Sequence, residues 1–265
     1  MPVKKKKLIL ATVALTLLAV LVFINFSGPE RKVETDLQRL YTVDDPQFLR
    51  SMGLLLGPSI LGGNKATELI NGDAIFPAML KAIKGAKTTI LFETYIYWSG
   101  GIGDQFADAL SERARAGVKV HVLLDWVGSA RIDGGVIDRM KQAGVEVEKY
   151  HPLRWYNLGR LNNRTHRKLL IVDGNVGFTG GVGIAPLWTG NGQDPDHWRD
   201  SHFRVEGPVV AQMQSVMLDN WAKTTGRVLH GAQYFPAIGP AGTESAQVFA
   251  SSPNGGSESM LMMYL

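Results

Sequence analysis

The stretch Thr165-His166-Arg167-Lys168 places an imidazole and an ammonium two residues apart. In extended chain, residues i and i+2 project from one face, so His166 and Lys168 can converge on a single ligand. Histidine trades a proton near neutral pH and can attack as a nucleophile, while lysine is a fixed cation able to offset charge on non-bridging phosphate oxygens. Together they suit a phosphate ester. A lone histidine is more often structural than catalytic, so the weight rests on the spacing that follows: Asp173 five residues after Lys168, then Gly180-Gly181.

The elements around the pair are readable. Leu169 to Val172 is a continuous apolar run of the buried-strand kind, Asp173-Gly174-Asn175 is a turn, and Val176 to Thr179 is a second apolar run, so the pair should sit at the mouth of a buried hairpin. Upstream, a short helix is expected near Pro46 to Leu56, with Gly62-Gly63-Asn64 as a turn. Ile75 to Ile83 has helical apolar spacing closed by Gly85, and Thr88 to Phe92 continues through Tyr97 as a strand. Ile102 to Ala116 repeats the helix, Val118 to Asp125 the strand, Gly135 to Ala143 and Val145 to Tyr150 the pair once more. After a loop from His151 to Arg164 and the hairpin, a polar loop spans Thr189 to Asp196. The second half of His197 to Val205 alternates as a strand, and Pro208 opens a helix with Val210, Met213, Val216, Met217 and Trp221 on one face. Gln247 to Ala250 reads as a strand and Ser257 to Leu265 as the first turns of a helix. Alternating helices and strands predict an α/β fold, layered α-β-α.

Composition bounds the rest. A chain of 265 residues with 45% hydrophobic and 20% charged residues is ordinary for one moderate globular domain with extra terminal segments. The net charge of +4 resides in Lys4 to Lys7, because 28 basic residues less those four leaves 24 against 24 acidic ones. No nucleic-acid partner is expected from that balance. With no cysteine, disulfides, thiolate catalysis and Cys-ligated zinc are excluded.

Leu8 to Ile24 contains no charge, glycine or proline. As a helix it is roughly 26 Å long, close to a bilayer core of about 30 Å. It is read as an uncleaved membrane anchor, a secretory signal peptide being the alternative without a clear small-x-small cleavage site. Lysines before it place the globular part on the outer, periplasmic side of a bacterial inner membrane, although Arg31 and Lys32 reduce the asymmetry. The expected organisation is an anchor at 1–27, a juxtamembrane linker with short helices at 28–64, a catalytic domain at 65–226, and a linker with the start of a second half at 227–265.

His166-x-Lys168 with Asp173 resembles the HKD motif of the phospholipase D superfamily. Phe178-Thr179-Gly180-Gly181, Glu93-Thr94-Tyr95-Ile96, Leu124-Asp125-Trp126-Val127-Gly128-Ser129 and Trp198-Arg199-Asp200 through Val205-Glu206-Gly207-Pro208 are similar to the first catalytic half of bacterial cardiolipin synthases. The resemblance covers roughly Lys65 to Gly226. It implies transfer of a phosphatidyl group from a phosphatidylglycerol-like lipid through a phosphohistidine, with no metal or other cofactor. On these residues it makes His166 the nucleophile, Lys168 the phosphoryl cation and Asp173 largely structural. Asp200 becomes the carboxylate that orients the imidazole, with Asp194, Asp196, His197 and His202 as neighbouring alternatives. Gly180 and Gly181 would lie at the substrate, and Arg154 and Arg160, beside Trp155 and Tyr156, suit an anionic headgroup.

Two departures matter. Gly183 stands where the family usually has Asn, and the sequence holds one motif where these synthases carry two, each supplying a histidine. Ser251 to Ser259 is similar to the opening of their second half, which leads to the expectation of a truncated synthase needing a second HKD half or a second copy of itself. The alternatives are a single-motif phosphodiesterase or nuclease working as a dimer, and an inactive membrane remnant.

Overall fold

The computed structural model describes residues 3–26, 41–55, 57–152 and 164–251. Val3–Phe26 is one helix, α1, of 24 residues, and Lys4–Ile24 within it has a mean hydropathy of 2.6. Its two threonines return their hydroxyls to the helix: Thr12 donates to Leu8 O at 3.0 Å and Thr16 to Thr12 O at 2.9 Å. No hydroxyl donor is then left to an apolar surrounding.

Residues 41–152 and 164–250 form a compact unit of which α1 is not part. Helix α2 (Pro46–Leu55) is followed by β1 (Leu61–Ile70), α3 (Asn71–Gly85), β2 (Thr89–Thr94), α4 (Ile102–Arg115), β3 (Lys119–Asp125), α5 (Gly134–Gln142) and β4 (Glu146–Tyr150). The hairpin β5 (Leu169–Val172) and β6 (Val176–Gly180) comes next, then β7 (Ser201–Glu206), α6 (Val210–Thr225) and β8 (Glu244–Ala246). One mixed sheet results, in the order β4-β3-β2-β5-β6-β7-β1-β8. β2, β3 and β4 run parallel, and the other named pairs are antiparallel.

Strand parity divides the core in two. Ile90 and Phe92, Val120 and Val122, Leu170 and Val172, and Phe178 pack with Ile75, Phe76, Met79, Phe106, Leu110 and Met140 of α3, α4 and α5. Leu91, Leu123, Leu169, Ile171 and Val205 pack with Val210, Met213, Met217 and Trp221 of α6. Hence the expected α-β-α layering holds. Strands β2 and β5 are buried along their whole length because both faces are covered, which is why they read as unbroken apolar runs.

Several sequence expectations are corrected. Gly62 to Asn64, expected as a turn, lies inside β1, which is held by six residue pairs with β7 from Lys65↔Glu206 to Ile70↔Ser201. The sheet therefore begins before residue 65. It also ends beyond 226: β8 pairs with β1, and Tyr234 is buried against the α6 side. The strand expected at Gln247 to Ala250 is instead the three residues Glu244–Ala246. β2 stops at Thr94, because Thr94 Oγ1 turns to bond Ile96 O at 3.1 Å and Tyr97 forms an isolated bridge with Ile184. Expectations for 27–40, for the loop at 153–163 with Arg154 and Arg160, and for 252–265 lie outside the described residues.

Candidate active site

The carboxyl ends of parallel strands β2 and β3, the entry to β5, the exit of β6 and the entry to β7 meet at one edge of the sheet, the place where open α/β sheets carry their chemistry. His166 and Lys168 lie there, just before β5. Lys168 is buried to 9% exposure, and its Nζ stands 3.3 Å from His166 Nδ1, 3.4 Å from Nε2 and 3.0 Å from His166 O. The imidazole itself is exposed. Tyr95, half-buried just past β2, holds its ring 4.8 Å from the imidazole at 52°, and the Lys168 ammonium lies 5.8 Å from the same ring.

The electrostatics favour a nucleophile. Partial burial and then the neighbouring Lys168 charge lower the His166 pKa, against an opposing pull from Asp125. Burial also lowers the Lys168 pKa, while the Asp200 carboxylate opposes that shift. Neutral imidazole with a free lone pair is the form that can attack phosphorus.

Two buried carboxyl groups hold the backbone around His166. Asp125, fully buried at the end of β3, accepts from the backbone N–H groups of Val127 at 2.9 Å, Gly128 at 3.0 Å and Thr165 at 3.1 Å. It also accepts from Arg164 Nη2 at 2.6 Å, and that guanidinium lies 4.8 Å from the Trp126 ring. Glu93, at the end of β2, accepts from Thr165 Oγ1 and, at 2.6 Å, from Asn220 Nδ2 of α6. Arg167 Nη1 donates to Val216 O of α6 at 2.8 Å. Residues 164 to 167 are thus fastened to β2, β3 and α6.

Asp200, expected to orient the imidazole, makes no hydrogen bond to His166. Its Oδ2 accepts from Trp188 Nε1 at 3.0 Å, its backbone N–H donates to Asn71 Oδ1 at 3.0 Å, and its charge is felt at Lys168. Among the alternatives, Asp194 and His197 bond each other at 2.6 Å in an exposed loop. His202 is buried with no partner on either ring nitrogen, and burial followed by the Lys168 charge lowers its pKa to about 4.

The glycines make room. A Cβ on Gly180 would lie 2.5 Å from His202 Nδ1, and one on Gly181 would overlap the Asp200 carboxylate. Position 183 is closed in the same way: a Cβ there would lie 2.8 Å from Ile96 Cβ and 2.9 Å from Trp188 Cζ3, so the Asn expected from the resemblance has no space.

Asp173 is at the far end of the hairpin from His166, at φ 53°, and its carboxylate accepts from Lys87 N (2.9 Å), Thr88 N (2.7 Å), Thr89 N (3.0 Å) and Thr88 Oγ1 (2.9 Å). Burial alone would raise its pKa. The backbone donors of Thr88, Thr89 and Lys87 outweigh that and lower it.

Sequence spacing did not assign roles to Tyr95, Glu93, Thr165, Asn220 or Trp188. One usable signal was present: Glu93 and Asp125 each lie at the end of an apolar strand, where an acidic side chain is buried only if it has partners.

Residues 79–192 match the family described as cardiolipin synthase, PLD-like domain. Cardiolipin synthase 1 of Bacillus cereus is 35% identical over 240 residues, covering 84% of this chain and 47% of that protein. Cardiolipin synthase 1 of Staphylococcus aureus is 32% identical over 235 residues, covering 86% and 45%. The chain spans about half the length of these curated relatives. The crystal structure of Nuc, a phospholipase D family member from Salmonella typhimurium, superposes with a TM-score of 0.48 at 16% identity, covering 63% of this chain and 99% of that one.

The chain therefore carries a phospholipase D-like domain. Within that class it is related to the bacterial cardiolipin synthases.

Proposed function

We propose that this chain is a membrane-anchored phosphatidyltransferase of the cardiolipin synthase type, with His166 as nucleophile. The observation that carries the reading is the exposed imidazole of His166 with the Lys168 ammonium 3.3 and 3.4 Å from its ring nitrogens. A ring nitrogen of His166 attacks the phosphorus of a phosphatidylglycerol-like lipid; the N–P bond forms as the P–O bond to one glycerol breaks, and that oxygen takes a proton. Lys168 offsets the charge gathered on the non-bridging oxygens. A second alcohol, the glycerol hydroxyl of another lipid, then attacks phosphorus, loses its proton and releases His166. Water in that place would give hydrolysis.

Protonating the leaving oxygen while His166 is covalently engaged needs a second acid. A second imidazole, from another HKD half or another copy of this chain, fills that role in our reading. Asp173 acts as the staple of the hairpin and Asp200 as an anionic neighbour of Lys168. Gly180 and Gly181 admit His202 and Asp200, and Arg154 and Arg160 are assigned to the lipid headgroup. Helix α1 is the single membrane pass, with the four lysines inside and the domain outside. Supporting this placement, α1 is long and apolar enough to cross a bilayer.

The test uses the full chain in detergent with phosphatidylglycerol. Cardiolipin should form, and His166→Asn should abolish it. Equal turnover by the variant would remove His166 from the mechanism.

A further inference from the structure

Glu93 is an acidic side chain that the proposed mechanism leaves without a task. It has no solvent exposure. Both of its donors reach one oxygen: Thr165 Oγ1 and Asn220 Nδ2 bond Oε1, and Asn220 Nδ2 also lies 3.3 Å from Thr165 Oγ1. The other oxygen, Oε2, is buried without a partner. A carboxylate would carry its charge on both oxygens and leave one wholly unsolvated, at a cost well above that of an unpaired neutral group. A carboxylic acid divides its oxygens in the way seen here, with a carbonyl that accepts two bonds and a hydroxyl that carries the proton. Burial, the largest influence, raises the Glu93 pKa, and Asp219 adds to it; the bonds from Thr165 and Asn220 and the Arg167 charge oppose it. Tyr150 of β4 and Asp125 of β3 are ionisable groups on this side of the sheet too, as are His121 and Tyr234.

We propose that Glu93 is an uncharged positioning residue: as a carboxylic acid it clamps Thr165 to Asn220 of α6 and so fixes the backbone from which His166 reaches phosphorus. Thr165 is held at both ends, its hydroxyl by Glu93 and its N–H by Asp125 at 3.1 Å, and His166 is the next residue. Asp125 meets the Arg164 guanidinium and three N–H donors, as an anion should. The two carboxyls thus perform one task in opposite charge states. The catalytic consequence rests on His166 being the nucleophile; the protonation state does not.

The experiment compares full-length wild type, Glu93→Gln and Glu93→Ala in detergent. At neutral pH the wild-type minus Glu93→Gln infrared difference spectrum should contain a carboxylic-acid carbonyl band. Glu93→Ala should lower kcat about 100-fold with KM little changed, the loss expected when a reacting group shifts by about an ångström. Glu93→Gln, neutral and of the same shape, should recover most of that loss. Absence of the acid band would overturn the protonation state, and so would a Gln variant as slow as the Ala variant. An Ala variant with wild-type kcat would overturn the positioning role. Should wild type not transfer phosphatidyl groups, the band and the imidazole titration of His166 by NMR decide in place of kcat: the titration should be undisturbed in Glu93→Gln and displaced in Glu93→Ala.

Discussion

Asp200 fills the space beside Gly181: a methyl group on Gly181 would stand 2.6 Å from Asp200 Cγ and overlap its carboxylate oxygens. The pairing ties the exit of β6 to the entry of β7 at the edge where Lys168 lies. The glycine is required by the carboxylate next to it.

Gly181→Ala should therefore push Asp200 away from Trp188 Nε1 and destabilise the domain by about 1–3 kcal/mol. Asp200→Ala in the Gly181→Ala background should cost less than Asp200→Ala alone, since it also removes the overlap that the alanine creates. Denaturant unfolding of the four proteins measures the coupling. Additive effects would separate the two residues.

Lys168 should act on the rate and on the pH profile. Burial and the Lys168 charge lower the His166 pKa, so the imidazole stays neutral to lower pH than an ordinary histidine. Removing the cation in Lys168→Met should move the acid limb of kcat/KM to higher pH and reduce turnover by about 10²–10³-fold, the scale for losing one charge-stabilising donor. A pH–rate profile reports both; an unmoved acid limb would mean that the ammonium is not beside the titrating imidazole.

Asp173 should govern stability. Asp173→Ala leaves the N–H groups of Lys87, Thr88 and Thr89 without their acceptor, and at Thr89, the buried residue of the three, the loss is about 1–3 kcal/mol. Because the folded pKa is depressed, the carboxylate's contribution is present above its unfolded pKa and is lost as pH falls through the folded one. Acid unfolding of wild type and variant should converge at low pH, and kcat of the folded variant should stay near wild type.

His202 should titrate near pH 4, being lowered from 6.5 to about 4 chiefly by burial. The sign is that of a depressed base: the stability associated with its neutral form is complete above about pH 6.5 and drains away as pH falls towards 4, in total about 3 kcal/mol. Proton NMR of the imidazole reads the pKa directly. A value at or above 6.5 would mean that the ring is hydrated or paired.

How much of this was legible in the chain depended on distance along it. His166 and Lys168 are two residues apart before an apolar run, so local spacing placed them together at a hairpin mouth. The layered fold followed from runs such as Leu169 to Val172, which are apolar because both faces are covered. β1 escaped because its stability comes from backbone pairing with β7, while Lys65 to Glu68 are exposed and give no alternation. Tyr95 was read as part of a longer strand, whereas the turn after Thr94 delivers its ring to His166. Thr165 and Asn220 reach Glu93 from 72 and 127 positions away in the chain, beyond any local pattern.

The central claim is a covalent bond between His166 and phosphorus. Full-length protein mixed with phosphatidylglycerol bearing a labelled phosphate, quenched in alkali within one turnover and digested, should yield label on the peptide containing His166. None should appear on that peptide from His166→Asn. Turnover by the wild type with no label at position 166, or equal labelling of the variant, would contradict the account.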